Sequence, residues 1–358
     1  MPDSTVPAST DERIPLLGKT ADQMREQGPL SSLPAFRSRQ VAHWLYSRGE
    51  TRFSEMSDLS LDLRRTLDAT YSLEPDPILT QRRAQDDEAV KFLLRLADGR
   101  NIETVLINSP NRRTICVSSQ VGCAYGCDFC ATAKMGPGRN LTVKEILSQL
   151  FAVRSFLEAE SMGTLDNVVF MGMGEPLQNL DNVIGALRLM QDPDGIGLGW
   201  RRITVSTVGL VPQIRALADS DVPVRLAYSL SATTDETRTA LMPVNKKYPF
   251  RDVFEAIRYF QAKRRIRATL EYVLLDGVND TLEDATRLAA FARDLRCKVN
   301  LIVYNPHPLA PYRPSPHERI EAFMKTLYPL APSVTLRYSR GRDILAACGQ
   351  LSTQWDKG

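Results

Sequence analysis

The sequence predicts an α/β protein, a partial (β/α)6 barrel preceded by a small helical accessory domain. Two observations carry that expectation. From Arg113 onward, short strand-like runs alternate with helical stretches six times: TICVSS, NVVFMG, ITVST, VRLAYSLS, ATLEYVLL and VNLIVYNP. Alternation of that kind requires parallel strands joined by right-handed crossovers, which curl a sheet toward a barrel. Upstream, between Leu33 and Leu73, apolar residues recur at helical spacing instead: Val41, Trp44 and Leu45, then Met56, Leu59, Leu63 and Leu67. A chain of 358 residues has room for one principal domain and such an accessory piece.

Taken in order, residues 1–32 are polar, contain Pro and Ser and show no hydrophobic period, so they are expected to be disordered apart from one short helix. Residues 33–85 form the helical domain, with RGETRFSEM as a connector and Arg37, Arg39 and His43 on its outer side. Residues 86–112 read as an antiparallel β-hairpin extension: VKFLLRL, a turn at Ala97-Asp98-Gly99, then IETVLI. Glu103 interrupts the second strand, and a lone strand Glu is expected to face solvent. Residues 113–340 carry the barrel, with helices beginning near Thr142, Asn179, Val211, Phe250, Thr281 and Ser315. Thr142 with Glu145 makes a capping box, and Ile146, Leu147, Leu150 and Val153 form the buried stripe behind it. Residues 341–358 follow a last strand and a glycine turn, with Asp343 expected to cap a short helix carrying Cys348. A lone late cysteine is usually a small core residue. Here Ala346, Ala347 and Gly349 are also small, so the backbone can come close to something bulky.

Composition is that of an ordinary globular protein, 43% apolar and 24% charged. No apolar run approaches the ~20 residues that cross a bilayer, and the first residues lack an apolar signal core. Unpaired cysteines imply a reducing, cytoplasmic setting. A net charge of +3 does not announce a nucleic-acid binder. Local basic clusters exist at Arg112-Arg113, Arg201-Arg202, Lys246-Lys247 and Lys263-Arg264-Arg265, as solvated faces or as phosphate contacts.

The chemistry concentrates in Val121–Ala133, VGCAYGCDFCATA, where Cys123, Cys127 and Cys130 stand in a Cys-x3-Cys-x2-Cys spacing. A loop of that pitch can turn three sulfurs onto one iron–sulfur cubane and leave one iron without a protein donor. A small molecule bearing an amine and a carboxylate can chelate that open iron. Structural zinc wants a fourth ligand, and no nearby His or Cys offers one; buried free thiols are the remaining alternative. In parallel α/β folds ligands collect at the C-terminal ends of the strands. Distinctive residues do fall there: the cysteine loop, Met173-Gly174-Glu175-Pro176, Ser206-Thr207, Ser229-Leu230-Ser231 and Tyr304-Asn305-Pro306. Turn chemistry explains any one of them; five on one rim point to a binding site.

Several stretches together resemble one family, the radical S-adenosylmethionine (SAM) adenine-C2 methyltransferases that modify 23S rRNA and, in many members, tRNA. They are CVSSQVGCAYGCDFCATA, FMGMGEPLQN, SLSATTDETR with MPVNKKYP, NPHPLAPYRPS and SRGRDILAACGQL, together with LPAFRSRQVAHWLYSRG and IETVLI. The resemblance covers the chain from about Leu33 onward. It implies that Cys123, Cys127 and Cys130 hold a 4Fe–4S cluster. It implies further that Gly174, Glu175, Ser206, Ser229, Leu230, Ser231 and Asn305 contact SAM, two molecules of which serve each turnover. Cys348 matches the cysteine that carries a methyl group, Cys116 the thiol that releases product through a Cys116–Cys348 disulfide, and Glu103 the general base. Cys297 matches no functional position and is expected in the core. One departure stands at Ser231, where members commonly carry His; serine keeps a donor and an acceptor but shortens the reach and removes the ring.

The implied reaction is methylation of adenine C2 in 23S rRNA and of the adenine beside the tRNA anticodon, with flavodoxin or ferredoxin as electron donor and a monomeric enzyme off the membrane. The helical domain and the basic clusters are the candidates for gripping RNA. A related activity places the methyl on C8 of the same rRNA adenine and shares the cluster, both cysteines and the barrel. A reading from another class is a non-catalytic RNA-binding or ribosome-assembly factor; retained Cys116, Cys348 and Glu103 argue against it.

Overall fold

The computed structural model describes residues 12–353. Strand β1 (Ile14–Pro15) pairs in parallel with β2 (Tyr71–Ser72) and so ties the start of the described chain to the end of the helical unit. Between them lie α1 (Ala35–Ala42), a π turn at His43–Ser47 and α2 (Leu61–Thr70), with the Ser60 hydroxyl capping α2 through Leu63 N–H.

The expectation of disorder through residue 32 does not hold for residues 12–32; residues 1–11 lie outside the described residues. Leu16, Leu17, Met24 and Leu30 are all buried. Two buried tyrosines hold the backbone around them. The Tyr46 hydroxyl accepts from Gly18 N–H at 3.0 Å and donates to Lys19 C=O at 2.7 Å. The Tyr71 hydroxyl accepts from Leu30 N–H at 3.0 Å and donates to Gln27 C=O. The apolar residues of this segment are too sparse to show a period, so their burial depends on tertiary partners.

The main body is one ten-stranded sheet in which every strand lies beside its neighbour in sequence. Strands β3 (Ile78–Arg83), β4 (Ala89–Arg95), β5 (Asn101–Ser109) and β6 (Arg112–Cys116) each run antiparallel to the next. From β6 the sheet continues in parallel through β7 (Asn167–Phe170), β8 (Ile203–Thr207), β9 (Arg225–Ser229), β10 (Thr269–Leu274), β11 (Lys298–Val303) and β12 (Val334–Arg337). All six expected parallel strands are present, and β12 adds a seventh. The hairpin is therefore no separate extension: β5 pairs with β6 from Val105↔Cys116 to Ser109↔Arg112, and the boundaries expected at residues 85 and 112 fall within the sheet. Strand β3 lies inside the span expected to be helical. It is an edge strand with nearly every residue exposed, so no alternation marks it.

The connecting helices are α3 (Ala131–Lys134), α4 (Val143–Ala159), α5 (Leu180–Gln191), α6 (Val211–Asp219), α7 (Asp235–Leu241), α8 (Phe250–Arg264), α9 (Leu282–Asp294) and α10 (His317–Leu327). The capping box at Thr142 and Glu145 is formed, and a second joins Thr281 to Asp284. Fully buried Ile115, Val168, Val205, Leu226, Leu270 and Leu301 place apolar side chains along successive strands. The strand ends beyond them carry the polar residues of the rim.

Removing the Tyr71 hydroxyl leaves the Leu30 N–H without its partner in a buried position. Tyr71→Phe is expected to lower stability by about 1–3 kcal/mol, read as a lower urea midpoint. An unchanged midpoint would show that the hydroxyl does not hold this segment.

Candidate active site

The cysteine loop follows β6 and is held in place before any ligand is considered. Ser118 Oγ donates to Glu103 C=O at 2.5 Å and accepts from Met173 N–H at 2.9 Å, joining β5, β6 and the loop after β7. Cys123 N–H bonds Gly136 C=O at 2.9 Å, which folds the loop back on itself. At Gly138 a Cβ would lie 1.2 Å from Val121 C=O, so only glycine lets the two segments meet. On the other side, Asp128 N–H bonds Leu241 C=O at the end of α7 at 2.9 Å. The loop after β11 supplies two more ties: Tyr312 donates to Asp128 Oδ2 at 2.7 Å, and His307 Nε2 meets Phe129 C=O at 3.0 Å. Leu309 N–H reaches His307 Nδ1 at 3.3 Å, which assigns the ring as the Nε2–H tautomer.

Burial, reinforced by Cys130, pushes the Cys123 thiol up to about 12; burial and the neighbouring thiols push Cys127 well above its ordinary value. Thiols placed this way are neutral alone and ionise against a cationic centre. Among the described residues, no three His, Cys, Asp or Glu side chains converge on one point as a single ion would need. Cys130 lies close enough to raise Cys123 and Cys127, and thiolates that each meet a different iron are the donors of a cubane, so this donor set fits a three-thiolate cluster.

The rim residues surround the same loop. A Cβ on Gly174, which has φ +92°, would come within 2.5 Å of Gln120 Cβ. Glu175 is 3% exposed, and its two oxygens accept from Leu177 N–H at 3.1 Å and Val208 N–H at 2.9 Å. Burial raises its carboxyl to about 7, against those hydrogen bonds, which lower it. Ser206 Oγ donates to Phe170 C=O at 2.6 Å. Ser229 is half-buried, whereas Leu230 and Ser231 are buried. Ser231 has φ +51°, and its C=O accepts from Asn279 Nδ2 at 2.7 Å. Asn305 Nδ2 donates to Ser339 Oγ at 2.9 Å and to Cys348 C=O at 3.3 Å. Its Oδ1 is buried without a partner, an acceptor suited to a donor on a bound ligand.

Cys348, more than two hundred residues from the cysteine loop, lies beside it. Gly349 C=O accepts from Ala131 N–H at 2.7 Å, and Leu351 C=O accepts from Thr132 Oγ1 at 2.6 Å. Gln350 Nε2 also bonds Pro306 C=O at 2.7 Å. Cys348 is exposed to solvent, although protein surrounds its sulfur closely enough to shift it. Burial, with Cys130 nearby, raises its thiol to about 11; burial, with Cys348 nearby, raises Cys116 to about 12. All six cysteines are free, so the expected disulfide is not formed here. Residues 342–345 form turns rather than the expected helix, and Asp343 accepts from Gln85 N–H at 2.9 Å instead of capping its own segment.

Glu103 departs furthest from expectation. It is fully buried, paired with Lys91 at 3.2 Å and bonded through Oε2 to Ser352 N–H at 2.9 Å. The C-terminal segment covers the hairpin face that sequence reasoning assigned to solvent. The sequence alone does not mark Lys91, one of two cations in VKFLLRL; it lies diagonal to Glu103 because Leu93↔Glu103 and Lys91↔Val105 pair in register. Arg238 was missed as well. It is fully buried and donates to Leu230, Val208 and Ser229 C=O at 3.2, 2.8 and 3.2 Å and to Asn245 Oδ1 at 3.0 Å. Its spacing of three from Leu241 puts it on the buried stripe of α7. Cys297 is buried, as expected.

The candidate RNA contacts are mixed. Arg37 stacks on Phe36 at 4.7 Å, and His43 Nδ1 meets Asp194 C=O at 3.3 Å. Arg113 and Arg202 share Asp166, Lys263 pairs with Asp219, and Arg264 bonds Leu217 C=O, so these clusters are partly engaged within the protein. Among the described residues no helix is long and apolar enough to cross a membrane.

Comparison with known proteins places relatives beside the whole chain. Residues 117–289 match the model of the radical SAM superfamily, and residues 14–73 match that of the ribosomal RNA large subunit methyltransferase N-terminal domain. The chain is 45% identical over 349 residues to the dual-specificity RNA methyltransferase RlmN of Geobacter sulfurreducens, covering 97% of this chain and 94% of that one. It is 44% identical over 350 residues to the protein of the same name from Desulfotalea psychrophila, covering 96% of each. A crystal structure of a radical SAM methyltransferase from Sphaerobacter thermophilus superposes with a TM-score of 0.90 at 42% identity, covering 95% of this chain and 100% of that one.

The raised Glu175 carboxyl has a sign that can be checked. Folding lifts it from its ordinary value of 4.5 to about 7, so the folded chain holds more protons than the unfolded one across that window. Stability of the cluster-free protein is therefore expected to fall as pH rises from about 4.5 through about 7, by up to about 3 kcal/mol. Urea unfolding at pH 5 and pH 8 measures it, and Glu175→Gln is expected to lose this part of the slope.

Proposed function

From a chain that belongs to the dual-specificity RNA methyltransferase RlmN family, within the radical SAM superfamily, we propose methylation of adenine C2 in 23S rRNA and of the adenine beside the tRNA anticodon. One observation carries the reading: Cys348 is docked by main-chain bonds against the helix that follows Cys130, with Cys116 close by. A binding protein has no use for that juxtaposition.

Adenine C2 is electron-poor and offers no easily made nucleophile, so polar transfer from SAM to that carbon is disfavoured. In this reading Cys123, Cys127 and Cys130 hold the 4Fe–4S cluster. Gly174, Glu175, Ser206, Ser229, Leu230, Ser231 and Asn305 form the SAM site; two SAM molecules serve each turnover. Gly174 gives the close backbone approach, Glu175 the carboxylate for an amino group, and Asn305 Oδ1 a free acceptor. When bound, the cluster and SAM supply one-electron S–C cleavage and the carbon radical that no side chain generates alone. The chain's own residues do the rest. Cys348 takes a methyl group on sulfur by displacement and presents it to the rim. Glu103 removes the ring proton as general base once the covering segment admits the nucleotide. Cys116 attacks the Cys348 sulfur: the S–S bond forms as the S–C bond to the methylene on the adenine breaks, and that carbon keeps the electron pair and takes a proton to become the methyl group, so the disulfide forms only within turnover.

The helical unit, with Arg37, Arg39 and His43, is the proposed RNA grip, recognising shape and phosphates while the target base swings out of its stack. The proposed setting is the cytoplasm, with flavodoxin or ferredoxin as reductant and the enzyme as a monomer.

Nucleoside mass spectrometry of rRNA and tRNA from cells lacking the protein tests the regiochemistry. The expected result is loss of 2-methyladenosine from both; loss of 8-methyladenosine instead would overturn the C2 assignment. Cys116→Ala is expected to keep methyl loading on Cys348 and to accumulate a covalent protein–RNA adduct, visible on denaturing gels. Normal turnover by that variant would remove Cys116 from the scheme.

A further inference from the structure

Lys91 and Glu103 are enclosed together under the C-terminal segment, with side chains 2% and 0% exposed. Lys91 Nζ lies 3.2 Å from Glu103 Oε1 and also donates to Leu345 C=O at 3.2 Å. The second carboxylate oxygen accepts from Ser352 N–H at 2.9 Å. Leu345 precedes Cys348 by three residues and Ser352 follows it by four. One buried ion pair thus grips the strap on both sides of the cysteine.

We propose that Lys91 is a positioning residue that sets the Cys348 strap over the Glu103 carboxylate, holding the carboxylate and the Leu345 carbonyl with one ammonium. The inference rests on the reading of Glu103 as general base. A buried ion pair compensates both of its members, and removing one leaves the other uncompensated. The dependence is mutual, since burial lowers the Lys91 ammonium and Glu103 works against that shift. Arg82, opposite Lys91 on β3, adds a second positive charge on that side. An ammonium has three donors, and the two bonds described here point to different parts of the site. Lys91 therefore links the oxygen that would receive the proton to the segment that delivers the methyl group.

The test uses cluster-loaded protein carrying Lys91→Met, Lys91→Arg or Glu103→Gln. Intact mass reads methyl loading on Cys348, RNA methylation reads turnover, and hydrogen exchange reads residues 345–352. Lys91→Met keeps the apolar stem and removes the charge. It is expected to load the methyl group but to methylate RNA about 100-fold more slowly, leaving a covalent protein–RNA species. Protection of residues 345–352 is expected to fall, and Lys91→Arg to recover most of the rate. The proposal is overturned if Lys91→Met turns over within about threefold of the unsubstituted enzyme with exchange unchanged. It is equally overturned if methyl loading and RNA methylation fall together and Lys91→Arg does not rescue them, since that marks a purely structural role. Glu103→Gln separates the two readings: normal turnover there sinks the base assignment, and an inactive Glu103→Gln beside an active Lys91→Met sinks Lys91 alone.

Discussion

The site exists because a strap from the end of the chain bonds to the short helix that follows the cysteine loop. Two contacts make that junction, Gly349 C=O to Ala131 N–H and Leu351 C=O to Thr132 Oγ1. They use main-chain carbonyls of the strap, so these two bonds do not depend on the identity of its side chains. Asn305 adds a third grip on the Cys348 carbonyl from the end of β11. With the Lys91–Glu103 pair and Gln350, these bonds fix the Cys348 thiol relative to the three on the loop.

Much of the remaining order comes from buried charge placed next to that docking. Arg238 has four neutral oxygens as partners and gathers the ends of β8 and β9 with the segment after α7. Glu175 accepts two backbone N–H groups and joins the loop after β7 to the one after β8. Each of these groups is costly to bury and is hydrogen-bonded in return. The result is a rim built of loops that is held as firmly as secondary structure, and polar atoms such as Asn305 Oδ1 can stay unpaired and aimed inward.

The parallel half of the fold was legible because alternation of apolar runs and amphipathic stretches is a strong signal. All six crossover helices begin within a few residues of the positions read from Thr142, Asn179, Val211, Phe250, Thr281 and Ser315. The antiparallel edge was less legible. β3 has almost no buried residue, and residues 12–32 are ordered by single buried side chains and by two tyrosine hydroxyls from elsewhere in the chain. In the site, residue types and spacing singled out the cysteines and the rim. Burial did not follow from them: Glu103 read as a surface carboxylate because the strap that covers it is some 250 residues away in sequence. Lys91 and Arg238 went unnoticed for the same reason, since a buried cation is recognised by its partners and not by its neighbours in the chain.

A sheet whose spatial order copies the order of its strands can grow one strand at a time as the polypeptide leaves the ribosome, each new edge resting on the strand made just before it. The segment with Cys348 comes after all of these strands and must travel back to the middle of a sheet already assembled. Folding of the body and completion of the reactive centre are thus separate events in the life of the molecule. Between them the cysteine loop is held by the sheet but has not yet met residues 345–352, so its sulfurs are more open at that stage than in the finished fold.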